Sequence, residues 1–142
     1  MGAQLSPRSD FEKVYEIDTP VGRGRKSVVY KARPLFDLFR HSAIDVALKV
    51  LIAGSKNPKH DLQRLKKEAV AMLSCRHRNI VQLYDYIVDS PNAYLAMEFA
   101  EHGDLHQLMV ARGKPLEVRE ALEYMKQVAE GLATVHRVGI VH

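Results

Sequence analysis

The stretch Val46-Ala47-Leu48-Lys49-Val50-Leu51 sets a lysine inside an otherwise apolar, β-branched run, and no other feature of the chain constrains its fold more tightly. Such a run reads as buried strand. Its residues alternate between faces, so Val46, Leu48 and Val50 face one way while Ala47, Lys49 and Leu51 face the other. One face therefore carries a cation. An ammonium buried without a partner costs roughly several kcal/mol, so the chain must supply a carboxylate, a bound anion, or both.

The length of 142 residues, 46% of them hydrophobic, suits one ordinary core, or one small lobe plus part of another. The net charge is +4, from 21 Lys+Arg against 17 Asp+Glu. These positives are scattered, apart from short clusters at Arg23 to Lys26 and Lys66-Lys67, so the dense, aromatic-interleaved pattern of a nucleic-acid surface is missing. A single cysteine, Cys75, excludes an internal disulfide and a cysteine-built zinc site, and it fits a reducing compartment. No apolar run approaches the roughly 20 residues that cross a bilayer, so no transmembrane segment and a cytoplasmic location are expected. Met1-Gly2-Ala3-Gln4-Leu5-Ser6 fits the pattern for N-myristoylation, which would tether the chain through Gly2; an ordinary polar leader is the alternative.

After the leader, Val14-Tyr15-Glu16-Ile17 alternates like a half-buried strand. Asp18-Thr19-Pro20 leads into Val21-Gly22-Arg23-Gly24-Arg25-Lys26-Ser27, then Val28-Val29-Tyr30-Lys31-Ala32, giving strand, glycine-rich turn, strand. Gly22 and Gly24 lack a Cβ and let backbone amides approach an anion such as a polyphosphate, with Val29 offering apolar surface beside it. The same letters also describe an ordinary hairpin. Two competing phosphate motifs, the dinucleotide fingerprint and the Walker loop, both open a helix, which this turn does not.

The connector from Arg33 to Asp45 holds an apolar patch, Leu35-Phe36-Asp37-Leu38-Phe39, as strand ends or a short helix. Gly54 to Asn57 breaks the lysine strand, and Asn57-Pro58 opens a helix that runs to about Ser74. Its buried face is expected to hold Leu62, Leu65, Ala69, Met72 and Leu73, with Arg64, Lys66 and Lys67 outside. Glu68 falls on or beside that stripe, where a lone carboxylate is costly. It pairs either with Arg64 four residues back or with Lys49.

His77-Arg78-Asn79 turns the chain into a strand over Ile80 to Val88, Asp89 to Asn92 form a turn, and Ala93 to Phe99 return. Beyond Ala100 the pattern is helical. Asp104 caps Leu105 to Ala111, Gly113 ends that helix, and a longer helix follows from about Glu117 to His136. Its wide stripe of Val118, Ala121, Leu122, Met125, Val128, Ala129, Leu132 and Val135 expects burial on several sides.

From Tyr15 to His142 the sequence resembles the first half of a protein kinase domain of the eukaryotic-like serine/threonine type. Five segments carry the likeness in order. Gly22-x-Gly24-x-x-Ser27-x-Val29 resembles the phosphate-covering loop, Val46-Ala47-Leu48-Lys49 the lysine strand, and Glu68 the ion-pairing helix residue. Met97-Glu98-Phe99-Ala100 resembles the adenine-binding hinge, and Gly139-Ile140-Val141-His142 the approach to the His-Arg-Asp loop. The resemblance implies an α+β fold: a small lobe of five antiparallel strands and one helix over residues 14–99 after a flexible leader (1–13), a hinge over 100–104, and the first large-lobe helices over 105–142.

It also implies roles. Lys49, held by Glu68, would contact the α- and β-phosphates of ATP, and the backbone of Gly22, Arg23, Gly24, Arg25, Lys26 and Ser27 would cover them. Val21, Val29 and Ala47 would pack on adenine, Met97 would line the back of the pocket, Glu98 and Ala100 would bind adenine through main-chain groups, and Asp104 would approach the ribose. Met72, Leu83 and His142 match an apolar column between lobes. Ser27 in place of a third glycine and Pro20 in the first strand depart from the pattern, the latter implying an edge or a bulge; His102 near the hinge and the long connector are further departures. The family's catalytic aspartate and Mg2+ ligands match no position in the 142 residues, so the chain as given is expected to bind ATP, with a protein as the eventual phosphate acceptor, yet to be inactive alone. The alternatives are a pseudokinase-like module that binds a nucleotide or a partner without chemistry, and an unrelated α+β binding domain that requires Lys49 and Glu68 to lie far apart.

Overall fold

A computed structural model describes residues 10–35, 44–52, 56–88 and 93–141. The myristoylation pattern, the patch at 36–39, the break at Gly54, the turn at 89–92 and His142 lie outside the described residues. Within them, five strands form one antiparallel sheet: β1 (Tyr15–Arg23), β2 (Ser27–Pro34), β3 (Val46–Leu51), β4 (Leu83–Val88) and β5 (Ala93–Glu98), in the order β1-β2-β3-β5-β4. Three helices accompany it, α1 (Pro58–Ser74), α2 (Leu105–Arg112) and α3 (Val118–Arg137).

The lysine strand is central, and its two faces serve two cores. Val46 and Leu48 are buried with Phe11, Tyr15, Ala32, Tyr94 and Ala96, and Val50 packs against them. On the other face Leu65 and Ala69 of α1 are buried with Ala93 and Leu95, and Leu51, Leu62, Met72, Leu83 and Met97 pack around them. The alternation expected of β3 holds through the strand. Asn57 caps α1 by accepting the His60 N–H, and Pro58 occupies the first turn, where a missing N–H costs nothing.

Several boundaries differ from the expectation. The leader is not uniform, since Asp10–Lys13 forms a 3-10 turn whose Phe11 is buried. β1 runs through Pro20 to Arg23, which an edge strand allows, and its register shifts on both sides of that proline. β4 starts at Leu83, not Ile80, because Ile80 N–H closes a turn onto His77 O and the Gln82 amide donates to His77 O and Ile80 O. β5 ends at Glu98, leaving Phe99 outside the strand. Leu73 is 42% exposed rather than buried. It sits eight residues past Leu65, about 80° round the helix, at the rim of the stripe.

The opposite face of the sheet carries a polar group that the alternation did not reveal. Asp85 accepts hydrogen bonds from Tyr15 (3.1 Å) and Tyr94 (3.0 Å), whose rings meet edge to face at 5.7 Å. Burial, then the neighbouring Asp85 charge, pushes both phenols far above their ordinary range.

Asp104 and Gln107 form a reciprocal capping box on α2, and Gly113 ends it in the left-handed region at φ 64°. α3 meets the rest of the fold through Gly131, where an added Cβ would lie 3.2 Å from Asn79 O, and through Asn79, whose amide donates to Gln127 O and Glu130 Oε2. The burial expected of its stripe is met only in part: Val118 (77%), Leu122 (64%) and Met125 (61%) are exposed, while Ala121, Leu132 and Val135 are half-buried.

Candidate functional site

The lysine finds its carboxylate. Lys49 Nζ donates to both oxygens of Glu68 at 2.6 and 2.7 Å, joining β3 to α1. Of the two partners open to Glu68, Lys49 takes it, and the reading that needed the two residues far apart is overturned. The geometry follows from two periodicities. Lys49 lies on the strand face that α1 covers, and Glu68 lies one turn from both Leu65 and Met72 at the edge of the helix stripe.

Lys49 and Glu68 open onto a cavity of about 190 Å³ lined also by Arg25, Lys26, Ser27, Leu51, Asp61, Arg64 and Leu65. The glycine-rich turn, β3 and α1 thus share one hollow. Four cationic side chains line it against two carboxylates, so the lining carries two excess positive charges. That donor set fits an anion with several oxygens, and a polyphosphate meets the requirement. Among the described residues no three His, Cys, Asp or Glu side chains cluster as metal ligands.

The remaining predicted residues sort by strand register. Gly22 pairs with Val29, Val29 with Lys49, and Ala47 with Met97, so these positions form adjoining rows across the sheet. Val29, Ala47 and Met97 are half-buried and Val21 and Arg23 exposed. Gly24 N–H closes the turn onto Ser27 O at 2.8 Å. Glu98 sends its N–H to Gln82 O and receives the Gln82 N–H on its carboxylate, so its side chain is used for structure. Ala100 O accepts from Gly103 N–H in the following turn, and Asp104 Oδ1 accepts the Gln107 N–H in the cap of α2. Neither Val21, Ala47, Met97, Glu98, Ala100 nor Asp104 lines the cavity beneath the turn. Met72 and Leu83 do pack in one cluster.

Two groups escaped the sequence reading. Asp61, buried in the first helical turn, lies 3.5 Å from Lys26 Nζ; its position seven residues before Glu68 is the signal that could have found it. Lys31, paired in register with Ala47, bonds Asp45 at 2.8 Å and lies 5.4 Å from the Phe99 ring centroid, tying β2 to the segment after β5. Its hydrogen bond to Asp45 raises the Lys31 pKa and lowers that of Asp45.

A five-stranded antiparallel sheet, one covering helix, and a strand lysine gripped by a helix glutamate under a glycine-rich turn define the small lobe of a protein kinase, with α2 and α3 as the start of the large lobe. The family model for the protein kinase domain matches residues 15–142, and the chain belongs to that family. It is similar to Serine/threonine-protein kinase PLK4 of Xenopus tropicalis, at 28% identity over 142 residues covering 100% of this chain and 14% of the relative. The same-named protein of Drosophila yakuba is 32% identical over 140 residues (97% of this chain, 18% of the relative), and that of Danio rerio 26% over 128 residues (90% and 13%). The chain therefore spans less than a fifth of the length of these curated relatives. No helix among the described residues is long and apolar enough to cross a membrane.

Proposed function

We propose that this chain forms the ATP-binding part of a serine/threonine protein kinase. The observation that carries the reading is the two-oxygen contact between Lys49 and Glu68 inside a cavity with a cationic lining. In this reading Lys49 meets the α- and β-phosphates, Glu68 fixes its direction, and the backbone of residues 22–27 covers the phosphate chain. Val21, Val29, Ala47 and Met97 pack on adenine, Glu98 and Ala100 bind it through main-chain groups, and Asp104 approaches the ribose. The names of the relatives support serine and threonine hydroxyls of a protein as acceptors. The free, buried thiol of Cys75 supports a cytoplasmic setting.

Magnesium would enter with the nucleotide phosphates, its charge neutralising theirs. The 142 residues contain no His-Arg-Asp and no Asp-Phe-Gly tripeptide, so nucleotide binding without phosphoryl transfer is expected of this polypeptide alone. The test is titration of the chain with a fluorescent ATP analogue, followed by competition with ATP and with inorganic sulfate. Wild type should bind and ATP should displace the probe, whereas Lys49→Met should lower affinity at least about tenfold, the size of one charge-assisted contact. Equal affinity in Lys49→Met overturns the proposal.

A further inference from the structure

Helix α1 brings two carboxylates to the cavity. Asp61 and Glu68 are seven residues apart, which on a helix is about 10 Å along the axis and about 20° in azimuth, so they share one edge of the stripe. Each meets its own lysine: Glu68 holds Lys49 of β3, and Asp61 Oδ2 lies 3.5 Å from Lys26 Nζ of the glycine-rich turn. Asp61 is only 7% exposed. A carboxylate so enclosed is costly unless a cation answers it, and its place in the first helical turn adds the favourable end of the helix dipole. His60 Nδ1 lies 3.9 Å from the other Asp61 oxygen.

Lys26 is fixed at its backbone as well. Its carbonyl accepts the Ile52 N–H at 3.0 Å, just past the end of β3, while its side chain reaches α1. One residue thus joins the turn, the end of β3 and the helix that carries Glu68. With Arg25, Lys26, Lys49 and Arg64 lining one hollow, a single carboxylate would leave the turn repelled from the wall facing it.

We propose that Asp61 is a positioning residue that stands in for the phosphate chain: it holds Lys26, and with it the glycine-rich turn, against α1, and a nucleoside triphosphate displaces it from that lysine on binding. The proposal rests on the nucleotide reading of the cavity. Because the ligand must part Lys26 from Asp61, some of its attraction to Lys26 is spent on that exchange. Removing the Asp61 charge therefore tightens binding while it loosens the turn in the free chain.

The test is a cycle of the intact chain, Asp61→Asn, Lys26→Met and the double variant, titrated with the same fluorescent ATP analogue. Asp61→Asn should bind about three- to fivefold tighter, the range of one partly exposed ion pair, and should gain nothing in the Lys26→Met background. An equal gain in both backgrounds would show Asp61 acting as a bare charge and overturns the proposal, as does weaker binding by Asp61→Asn alone. Amide hydrogen exchange without nucleotide gives the second readout: the Gly24 N–H, bonded to Ser27 O at 2.8 Å, should exchange faster in Asp61→Asn, and unchanged exchange overturns the proposal. If wild type binds no nucleotide, the nucleotide reading itself fails. Binding by all four proteins without coupling removes only the role of Asp61.

Discussion

Glu68→Gln keeps the shape of the side chain and one acceptor oxygen but replaces the other with an NH2 that faces an ammonium. Lys49 Nζ sits 2.6 and 2.7 Å from the two carboxylate oxygens, so one contact is weakened to an ion–dipole bond and the other becomes donor against donor. The side chains are 24% and 38% exposed, between the open surface and the deep interior. Exposed pairs contribute about 0.2–1 kcal/mol, and breaking a fully buried one costs about 3–5, so an intermediate loss of about 1–2 kcal/mol is expected. With a urea slope of about 2 kcal/mol per molar, the unfolding midpoint should fall by about 0.5–1 M. The chain has no tryptophan and six tyrosines, so far-ultraviolet circular dichroism is the suitable signal. Glu68→Gln, Lys49→Met and the double variant complete the cycle. A coupling below about 0.3 kcal/mol, the scatter expected of independent sites, would refute the argument that this pair helps hold α1 on the sheet.

Alkaline pH should unfold the protein through Tyr15 and Tyr94. Their folded pKa values are raised above the ordinary phenol value of 10.0, so the stability they contribute is fully present below pH 10 and is lost as pH rises above it. The loss should approach about 1.4 kcal/mol per pH unit for each tyrosine, and Tyr15→Phe should lower the slope by up to about that amount in urea titrations between pH 10 and 11.5. An unchanged slope rules out Tyr15 as a contributor. The apolar face of α3 should make the isolated chain self-associate, and Leu122→Lys with Met125→Glu should shift its sedimentation toward the monomer; a monodisperse wild type contradicts this. Asp85→Ala removes the shared acceptor of two buried phenols and should cost about 2–4 kcal/mol by urea denaturation, where a loss under about 1 kcal/mol would show the phenols re-paired.

The sequence made the central strand legible because β3 writes its two faces as an unbroken alternation, and Glu68 because a carboxylate on an apolar stripe demands a partner. Asn57, Asp104 and Gly113 are equally direct, since caps are local chemistry. Long-range contacts were less accessible. The burial of Asp61 depends on Lys26, thirty-five positions earlier, and the half-burial of Asp85 on Tyr15, seventy positions away. Strand ends drifted by a few residues where side-chain hydrogen bonds, such as those of Gln82, set the boundary. The distribution of the cavity also escaped prediction: of the residues expected to cover the phosphates, Arg25, Lys26, Ser27 and Lys49 line the hollow while Gly22, Arg23 and Gly24 do not, and none of those expected to meet adenine lines it.

Phe11 gives the N-terminal boundary a practical meaning. The family match begins at Tyr15, but the Phe11 ring, 3% exposed, stands edge-on to Tyr94 at 6.0 Å, and the 3-10 turn around it is pinned by Val14 N–H to Phe11 O. A polypeptide begun at Tyr15 would uncover the face of the sheet that α1 does not reach, much as a bung pulled from a vessel opens it. The unit that folds is therefore larger at this end than the unit that homology delimits, and expression should start at residue 10 or earlier.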